Sequence, residues 1–471
     1  MNDKKITWVL LAISGLFLTL IIYLTSVVLL YGDEYSSSEL NARALIREER
    51  IMRGTIYDSG GEVLAYSEMD GDVQKRYYPH GKLYSHLIGY SSKNYGKSFI
   101  EKEYNSFLVG SDELNKIFNI DNAIAGQMND GYDLHLTVNH ATQEKASKLM
   151  EGYRGALVAI NPQTGEIIAM VSKPDFDPHE DYLNANWDTL GEDESAPFLN
   201  RATMGLYPPG STFKTVTTAV MHMNGMQDYS FDDETGRIDI GGHTISNTRD
   251  AIHGETDITK AFTRSSNVYF AKAGSEIPAA SFADMASKLM FNSSFGGDFP
   301  HMQSRFYAEG MTDAEQAITA IGQGKTLTSP LHLAMITGAI ANGGTMMKPY
   351  IVSSVMTNGG TVIKTNSPEV LSNAIPPETA QFVKDLMVDT VEYGTGTNAK
   401  ISGITVGGKT GTAENELTVD DPEKTHALFI AFAPAENPQI AVAVVLEYAG
   451  STGGTIAAPI ARDVIKTYLG K

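Results

Sequence analysis

From Ile6 to Tyr31 the chain is apolar and carries no charged residue, and 26 residues at ~1.5 Å of rise give ~39 Å, enough to cross a ~30 Å hydrocarbon core with some tilt. The pattern predicts a membrane-spanning helix over residues 6–31. Lys4 and Lys5 stand before it and Asp33 and Glu34 behind it, so the positive-inside bias puts the tail, residues 1–5, in the cytoplasm and the rest of the chain outside. Ala42-Arg43-Ala44 resembles a signal-peptidase site, but the apolar run outlasts the usual ~7–15-residue signal core and the triplet lies well past its end, which favours a retained anchor.

Residues 32–150 are polar and turn-rich. Asp58-Ser59-Gly60-Gly61, flanked by Gly54–Tyr57 and Glu62–Ala65, predicts a β-hairpin. Tyr132–Val138 alternates apolar and polar residues ahead of Gln143–Ala146, which predicts a strand and then a helix. From Gly155 the chain turns to apolar runs. Ala156–Ile160 and Glu166–Val171 bracket the turn Asn161–Gly165, while Ala427–Phe432 and Ile440–Leu446 bracket Pro434–Pro438 ahead of a helix over Ala458–Leu469. The expected fold is α+β: one N-terminal transmembrane helix, a β-rich domain over residues 32–150, and a second domain over 151–471 in which helices flank an antiparallel sheet.

Composition narrows the function. A chain of 471 residues, 42% hydrophobic and 20% charged, has the make-up of a globular body of about two domains. Its formal net charge of -20 argues against nucleic acid, whose phosphates require clustered Lys and Arg. With no cysteine there is no disulfide, thiolate metal site or cysteine nucleophile. The histidines show no metal-binding spacing, and neither a metal nor another cofactor is expected.

Three short motifs carry the chemistry. Ser211-Thr212-Phe213-Lys214, Ser265-Ser266-Asn267 and Lys409-Thr410-Gly411 follow one another at spacings of 54 (265 − 211) and 144 (409 − 265) residues. A serine hydroxyl is a weak nucleophile until a base takes its proton, and a lysine can serve once its pKa falls far enough to leave it neutral. Lys214 is the candidate base. A helix beginning at Ser211 would put positions i and i+3 on one face. Pro208-Pro209 stops a helix arriving from upstream, Gly210 permits an unusual backbone angle, and the helix N-terminus would stabilise developing negative charge.

Lys409 is the candidate second cation, which would lower the Lys214 pKa and attract a carboxylate. Around it, Val406–Ala413 has small residues where a strand normally carries bulk, so another backbone could approach, including a peptide substrate pairing along this edge. The Thr410 and Thr412 hydroxyls, with Gly411 between them, would hold a terminal carboxylate, and the N–H groups of Ser211 and Thr412 would form an oxyanion hole. Ser265 would relay a proton to the leaving amine, and Asn267 would hold the substrate amide.

Two other patterns compete. Gly403–Thr410 spells the phosphate-binding sequence G-x-x-x-x-G-K-[ST], yet Gly411-Thr412-Ala413-Glu414 runs on toward a polar stretch instead of opening a helix, so no nucleotide is expected. Glu180-Asp181-Tyr182-Leu183-Asn184 resembles the deacylating glutamate segment of class A β-lactamases. It precedes the nucleophile, whereas there it follows the Ser-x-Asn motif, so Glu180 reads as a loop residue and no base for fast deacylation is in view.

The sequence resembles the class B penicillin-binding proteins, monofunctional D,D-transpeptidases that cross-link peptidoglycan, from about residue 51 onward. Arg53-Gly54-Thr55-Ile56-Tyr57-Asp58, Gly61 and Leu64-Ala65 look like the family's opening motif, with Ser59 where an arginine is usual. Tyr78–Gly81, His86–Tyr90 and Ile100–Tyr104 match its pedestal domain. Asn200-Arg201-Ala202, Gly322-Gln323-Gly324, Ser329-Pro330 and Ala341–Gly344 recur at family-like positions in the second domain. The roles given to Ser211, Lys214, Ser265, Asn267, Lys409 and Thr410 agree with the family's three active-site motifs.

The resemblance implies that Ser211 attacks the penultimate D-Ala carbonyl of a peptidoglycan stem peptide, releases the terminal D-Ala and passes the acyl group to an amine on a neighbouring strand. β-Lactam antibiotics would acylate the same serine. Residues 32–150 are too few for a glycosyltransferase module, so a polytopic membrane glycosyltransferase is the implied partner, and no C-terminal repeat domain is expected. The implied location is a bacterial cell membrane, with the catalytic domain extracytoplasmic. Two alternatives stay open: a D,D-carboxypeptidase in which water replaces the amine, and a non-catalytic β-lactam-binding scaffold or sensor. The general base is either Lys214 or a relay through Ser265 and Lys409.

Overall fold

The computed structural model describes residues 3–37, 48, 50–71, 73–111, 130–307, 309–419, 421 and 424–471. Helix α1 (Asp3–Ser37) contains Lys4–Val27, 24 residues of mean hydropathy 2.3, which is the one segment among the described residues long and apolar enough to cross a membrane. The triplet Ala42-Arg43-Ala44 lies outside the described residues.

The hairpin expected at Asp58 forms, with β1 (Ile56–Tyr57) antiparallel to β2 (Val63–Asp70). Asp58 shapes the turn, its Oδ1 accepting from Gly60 N and Glu62 N at 2.7 Å each. Strand β3 (Val73–Tyr77) pairs with β2. The strand and helix expected after Tyr132 are β4 (Asp133–Leu136) and α2 (His140–Leu149), capped by Asn139 Oδ1, which accepts from Thr142 N.

The second half begins with β5 (Gly155–Ile160) and β6 (Ile167–Lys173), then α3 (Lys214–Met223) and the hairpin β7 (Arg237–Ile240) and β8 (His243–Ser246). Helices α4 (Ile258–Arg264), α5 (Asn267–Glu276) and α6 (Pro330–Ala341) follow. Next come β9 (Val352–Met356), β10 (Val362–Thr365) and α7 (Pro377–Tyr393). The last elements are β11 (Gly407–Ala413), β12 (His426–Ala433), β13 (Ile440–Leu446) and α8 (Gly453–Tyr468). Helix α8 starts five residues before the expected Ala458, because its first turn is built on Gly453 and Gly454, poor helix formers that hide it in the sequence.

A five-stranded antiparallel sheet, in the order β11-β12-β13-β5-β6, forms the centre of the second half. Successive side chains on a strand point to opposite faces, and here both faces are covered. Ala156, Val158 and Ile160 of β5 pack with Leu428, Ile430 and Phe432 of β12 on the α6 side. Leu157 and Ala159 pack with Phe429 and Ala431 on the α2 and α8 side. That double burial is why these strands read as unbroken apolar runs, each large side chain contributing ~1.5–3 kcal/mol when fully covered. Among the described residues, strand β11 pairs with β12 alone and so forms an edge of this sheet.

The second sheet has the order β10-β9-β4-β1-β2-β3, with β1 and β4 parallel and the other neighbours antiparallel. The first half thus takes two strands from residues 352–365. Thr137 ties the sheets together, its N donating to Ile351 O at 2.7 Å and its Oγ1 to Ile167 O at 2.8 Å.

Candidate active site

Ser211 stands on a 3-10 turn, Gly210–Phe213, that leads into α3 at Lys214; the α-helix does not begin at the serine as the sequence predicts. The cause is local. Pro209 O accepts from Thr212 Oγ1 at 2.6 Å and from Thr212 N at 3.3 Å, closing the tighter turn. Positions i and i+3 eclipse in that geometry, so Ser211 and Lys214 still share a side. Gly210 has φ +52 and donates its N–H to Gly322 O at 2.8 Å; a Cβ there would lie 2.6 Å from Thr412 O. The serine turn is therefore pressed directly against β11.

Lys214 and Lys409 are both fully buried. Lys214 Nζ donates to Asn267 Oδ1 at 2.7 Å and Ser265 O at 2.8 Å, with Ser265 Oγ at 3.4 Å. Lys409 Nζ lies 2.9 Å from Ser265 Oγ and 3.2 Å from Thr410 O. The Phe270 and Phe262 rings cover the two nitrogens at 5.6 and 5.5 Å. Burial, and after it the charge of Lys409, hold the Lys214 pKa well below the ordinary lysine value. Burial brings Lys409 down to about 7. A neutral Lys214 has two N–H bonds and one lone pair. Ser265 O and Asn267 Oδ1 only accept, so they take the two N–H bonds and leave the lone pair for a hydroxyl.

The middle motif is held from two sides. Ser265 has φ +59, a left-handed angle that costs a non-glycine residue ~1–2 kcal/mol, and it joins α4 to α5. The neighbours enforce it: Ser266 N donates to Ala261 O at 2.8 Å, and Ser266 Oγ caps α5 by accepting from Tyr269 N at 3.2 Å. Asn267 Nδ2 donates to Ser246 O at 2.9 Å, which turns its Oδ1 toward Lys214.

A cleft of about 630 Å³ opens over this array, lined by Ser211, Ser265, Asn267, Thr410 and Thr412 among others. Gly411 lies behind that wall, where a Cβ would come within 2.9 Å of both Leu428 Cβ and Thr212 Cγ2. The close approach that its small size permits is therefore made by the serine turn itself. The phosphate-loop letters at Gly403–Thr410 run into β11 and not into a helix, which leaves no helix N-terminus for a phosphate. Glu180 is the first residue of a helix, Glu180–Glu192, not a loop residue, and it lines a separate pocket with Lys75 and Arg76.

With this geometry in hand, two family models match the chain: penicillin binding protein transpeptidase domain over residues 155–466, and penicillin binding protein A dimerisation domain over residues 53–134. The chain belongs to the penicillin-binding proteins. It is 33% identical to the peptidoglycan D,D-transpeptidase PbpA of Mycolicibacterium smegmatis over 98% of both chains. Against the peptidoglycan D,D-transpeptidase MrdA of Acinetobacter baumannii, identity is 30% over 84% of this chain and 66% of the relative. Among solved structures, penicillin-binding protein A of M. tuberculosis as a ceftriaxone acyl-enzyme complex superposes with TM-score 0.84 at 31% identity, covering 90% of this chain and 100% of that one. A D,D-transpeptidase domain from Eggerthella lenta gives 0.80 at 34% identity, covering 89% and 99%.

Two further residues at the cleft of this penicillin-binding protein, Thr395 and Asn247, were not singled out from the sequence. Thr395 Oγ1 sits 2.8 Å from Thr410 Oγ1 and lines the cleft. Asn247, buried, accepts from Ser266 Oγ and Val268 N, both at 3.1 Å, and so pins the middle motif to the β7–β8 lobe. Neither lies in a recognisable motif, and no signal in the sequence marks them.

Proposed function

We propose that the protein is a serine-type peptidoglycan D,D-transpeptidase that forms an acyl-enzyme on Ser211. The observation that carries this reading is the pair of buried lysines, without a carboxylate partner among the described residues, converging on Ser265, which lines one cleft with Ser211 and the β11 residues Thr410 and Thr412. Lys214, neutral, takes the Ser211 proton as Oγ attacks the D-Ala-D-Ala carbonyl. The oxyanion is met by the N–H groups of Ser211 and Thr412. Ser265, bridged between the two lysines, passes a proton to the departing amine as the C–N bond breaks. Thr410, Thr412 and Lys409 hold the terminal carboxylate, and a donor peptide pairs along β11.

A β-lactam carries the same acyl chemistry and leaves the ester in place. The anchor belongs in the membrane with residues 1–5 cytoplasmic, and a polytopic glycosyltransferase is the fitting partner, since the stretch 32–150 is too short for a polymerising module. The test is covalent labelling of folded protein by a fluorescent penicillin. A band lost in Ser211→Ala is expected, and no band in folded wild type overturns the reading. Cross-linked products distinguish transfer from carboxypeptidase action.

A further inference from the structure

The cleft has a second wall that the chemistry above leaves unused. Among the described residues, strand β8 pairs with β7 on one side only. Ser246 O accepts from Asn267 Nδ2 at the cleft, whereas Asn247 N donates back across the hairpin to Gly236 O at 2.9 Å. Backbone groups alternate sides along a strand, so those of Thr244 and Ser246 face away from β7 and into the cavity that Ser211 lines. Thr244 and Ser246 are exposed, while Ile245 and Asn247 are buried, in step with that alternation. Past the strand, Arg249 and Arg264 line the same cavity, both exposed and neither paired with a carboxylate among the described residues. Two unpaired guanidiniums over one cleft, in a chain of net charge -20, mark a place for an anionic ligand. Among the described residues, the one carboxylate lining the cavity is Glu414, just past the end of β11.

We propose that this wall binds the acceptor: an amine-bearing peptide whose backbone pairs with the free edge of β8 and whose carboxylates meet Arg249 and Arg264. The inference rests on the transpeptidase reading. Transfer needs two peptides, and β11 and β8 offer two edges on one cavity, each without a further strand among the described residues. The donor carboxylate belongs beside Lys409 and Thr410, which assigns the donor to β11, and after the first step the donor is held as an ester on Ser211. The amine must then reach the ester carbonyl from the free side. That side adjoins the proton-moving Ser265 loop, because Asn267 is hydrogen-bonded to Ser246. In the transfer step the amine nitrogen forms the new C–N bond, the ester C–O bond breaks, the amine gives a proton to the Lys214–Ser265 array, and Ser211 Oγ receives one.

The experiment uses the full chain in detergent with a soluble D-Ala thioester donor and one of two amines: a short peptide carrying two free carboxylates, or the same peptide amidated. The measured quantity is the ratio of aminolysis to hydrolysis of the acyl-enzyme. Arg249→Gln and Arg264→Gln should each lower that ratio about tenfold for the carboxylate-bearing amine and leave it unchanged for the amidated one. Backbone N-methylation of the acceptor, which leaves the enzyme untouched, should lower the ratio as well. Variants that keep the wild-type ratio, ratios that fall equally for both amines, or a wild type that is acylated yet only hydrolyses its ester would each overturn the acceptor site. A wild type that a fluorescent penicillin does not label overturns the transpeptidase reading itself.

Discussion

Two of the places where the protein buries cations treat them in opposite ways. Beside the six-stranded sheet Arg53 and Arg76 converge on one buried carboxylate: Arg53 Nε lies 2.6 Å from Glu101 Oε2 and Arg76 Nε 2.7 Å from Oε1, with Tyr78 OH donating at 3.3 Å. Burial pushes the Glu101 carboxyl up, and the two guanidiniums outweigh it, so its pKa ends below the ordinary value of 4.5. In the candidate active site Lys214 and Lys409 are just as deep and have, among the described residues, hydroxyl, amide and carbonyl oxygens in place of a carboxylate. An arginine cannot shed its proton and must be paired; a lysine without an anion sheds it and becomes a base. The difference teaches where to look: a buried cation with its anion is architecture, and one without is chemistry.

The comparison breaks most visibly if the two clusters respond alike to losing one member. Lys214→Met should lower the rate of acylation by a fluorescent penicillin by about 10²–10⁴, the share a positioned base supplies, while thermal unfolding stays cooperative. Glu101→Gln should do the reverse, destabilising the fold by about 3–5 kcal/mol because two guanidiniums are left buried without charge compensation. Its acylation rate, per folded molecule, should match wild type. The Glu101 contribution is present above about pH 4.5 and is lost as pH falls through its depressed folded value, so the gap between wild type and variant closes in acid. A Lys214→Met protein that unfolds more readily than Glu101→Gln would contradict the distinction.

A smaller effect sharpens it through pH. Lys409 is a cation below about 7 and neutral above, so its pull on a substrate carboxylate fades as pH rises through that value. The second-order rate of acylation, which reports the free enzyme, should therefore fall on the alkaline side of about pH 7. Lys409→Arg keeps the charge and should move that limb to higher pH, at some loss of rate from imperfect fit. An alkaline limb that stays in place in the variant would remove Lys409 as its source.

How much of this was legible in the sequence depended on how local the information was. The Asp58 hairpin, the β5–β6 pair, the β12–β13 pair and each of the three motifs are written in short stretches of neighbouring residues, so local pattern sufficed to find them. The insertion of β9 and β10 into the six-stranded sheet was not legible, because Val355 pairs with Leu134, far back along the chain, and no local pattern encodes a partner so distant. The start of α3 was misread by three residues because Thr212 competes for Pro209 O, a side-chain bond that propensity does not register. Asn247 and Thr395 were missed for the same reason as β9: their partners, Ser266 and Thr410, are remote in sequence.

Thr395 gives the smallest and most discriminating expectation. A hydroxyl both donates and accepts, so at 2.8 Å one of Thr395 and Thr410 must donate to the other. If Thr410 is to point its own hydrogen at a substrate carboxylate, Thr395 has to be the donor. Its backbone is placed for this, with Thr395 N donating to Thr263 O at 3.1 Å just after α7. Thr395→Val keeps the shape and removes the donor, freeing the Thr410 hydroxyl to rotate away from the substrate. The expected outcome is a rise in donor KM of up to about tenfold with kcat little changed, the worth of one ordinary hydrogen bond, and recovery in Thr395→Ser. A fall in kcat together with lost thermal stability, unrepaired by serine, would instead make Thr395 a packing residue of the β11 wall and leave Thr410 to orient itself.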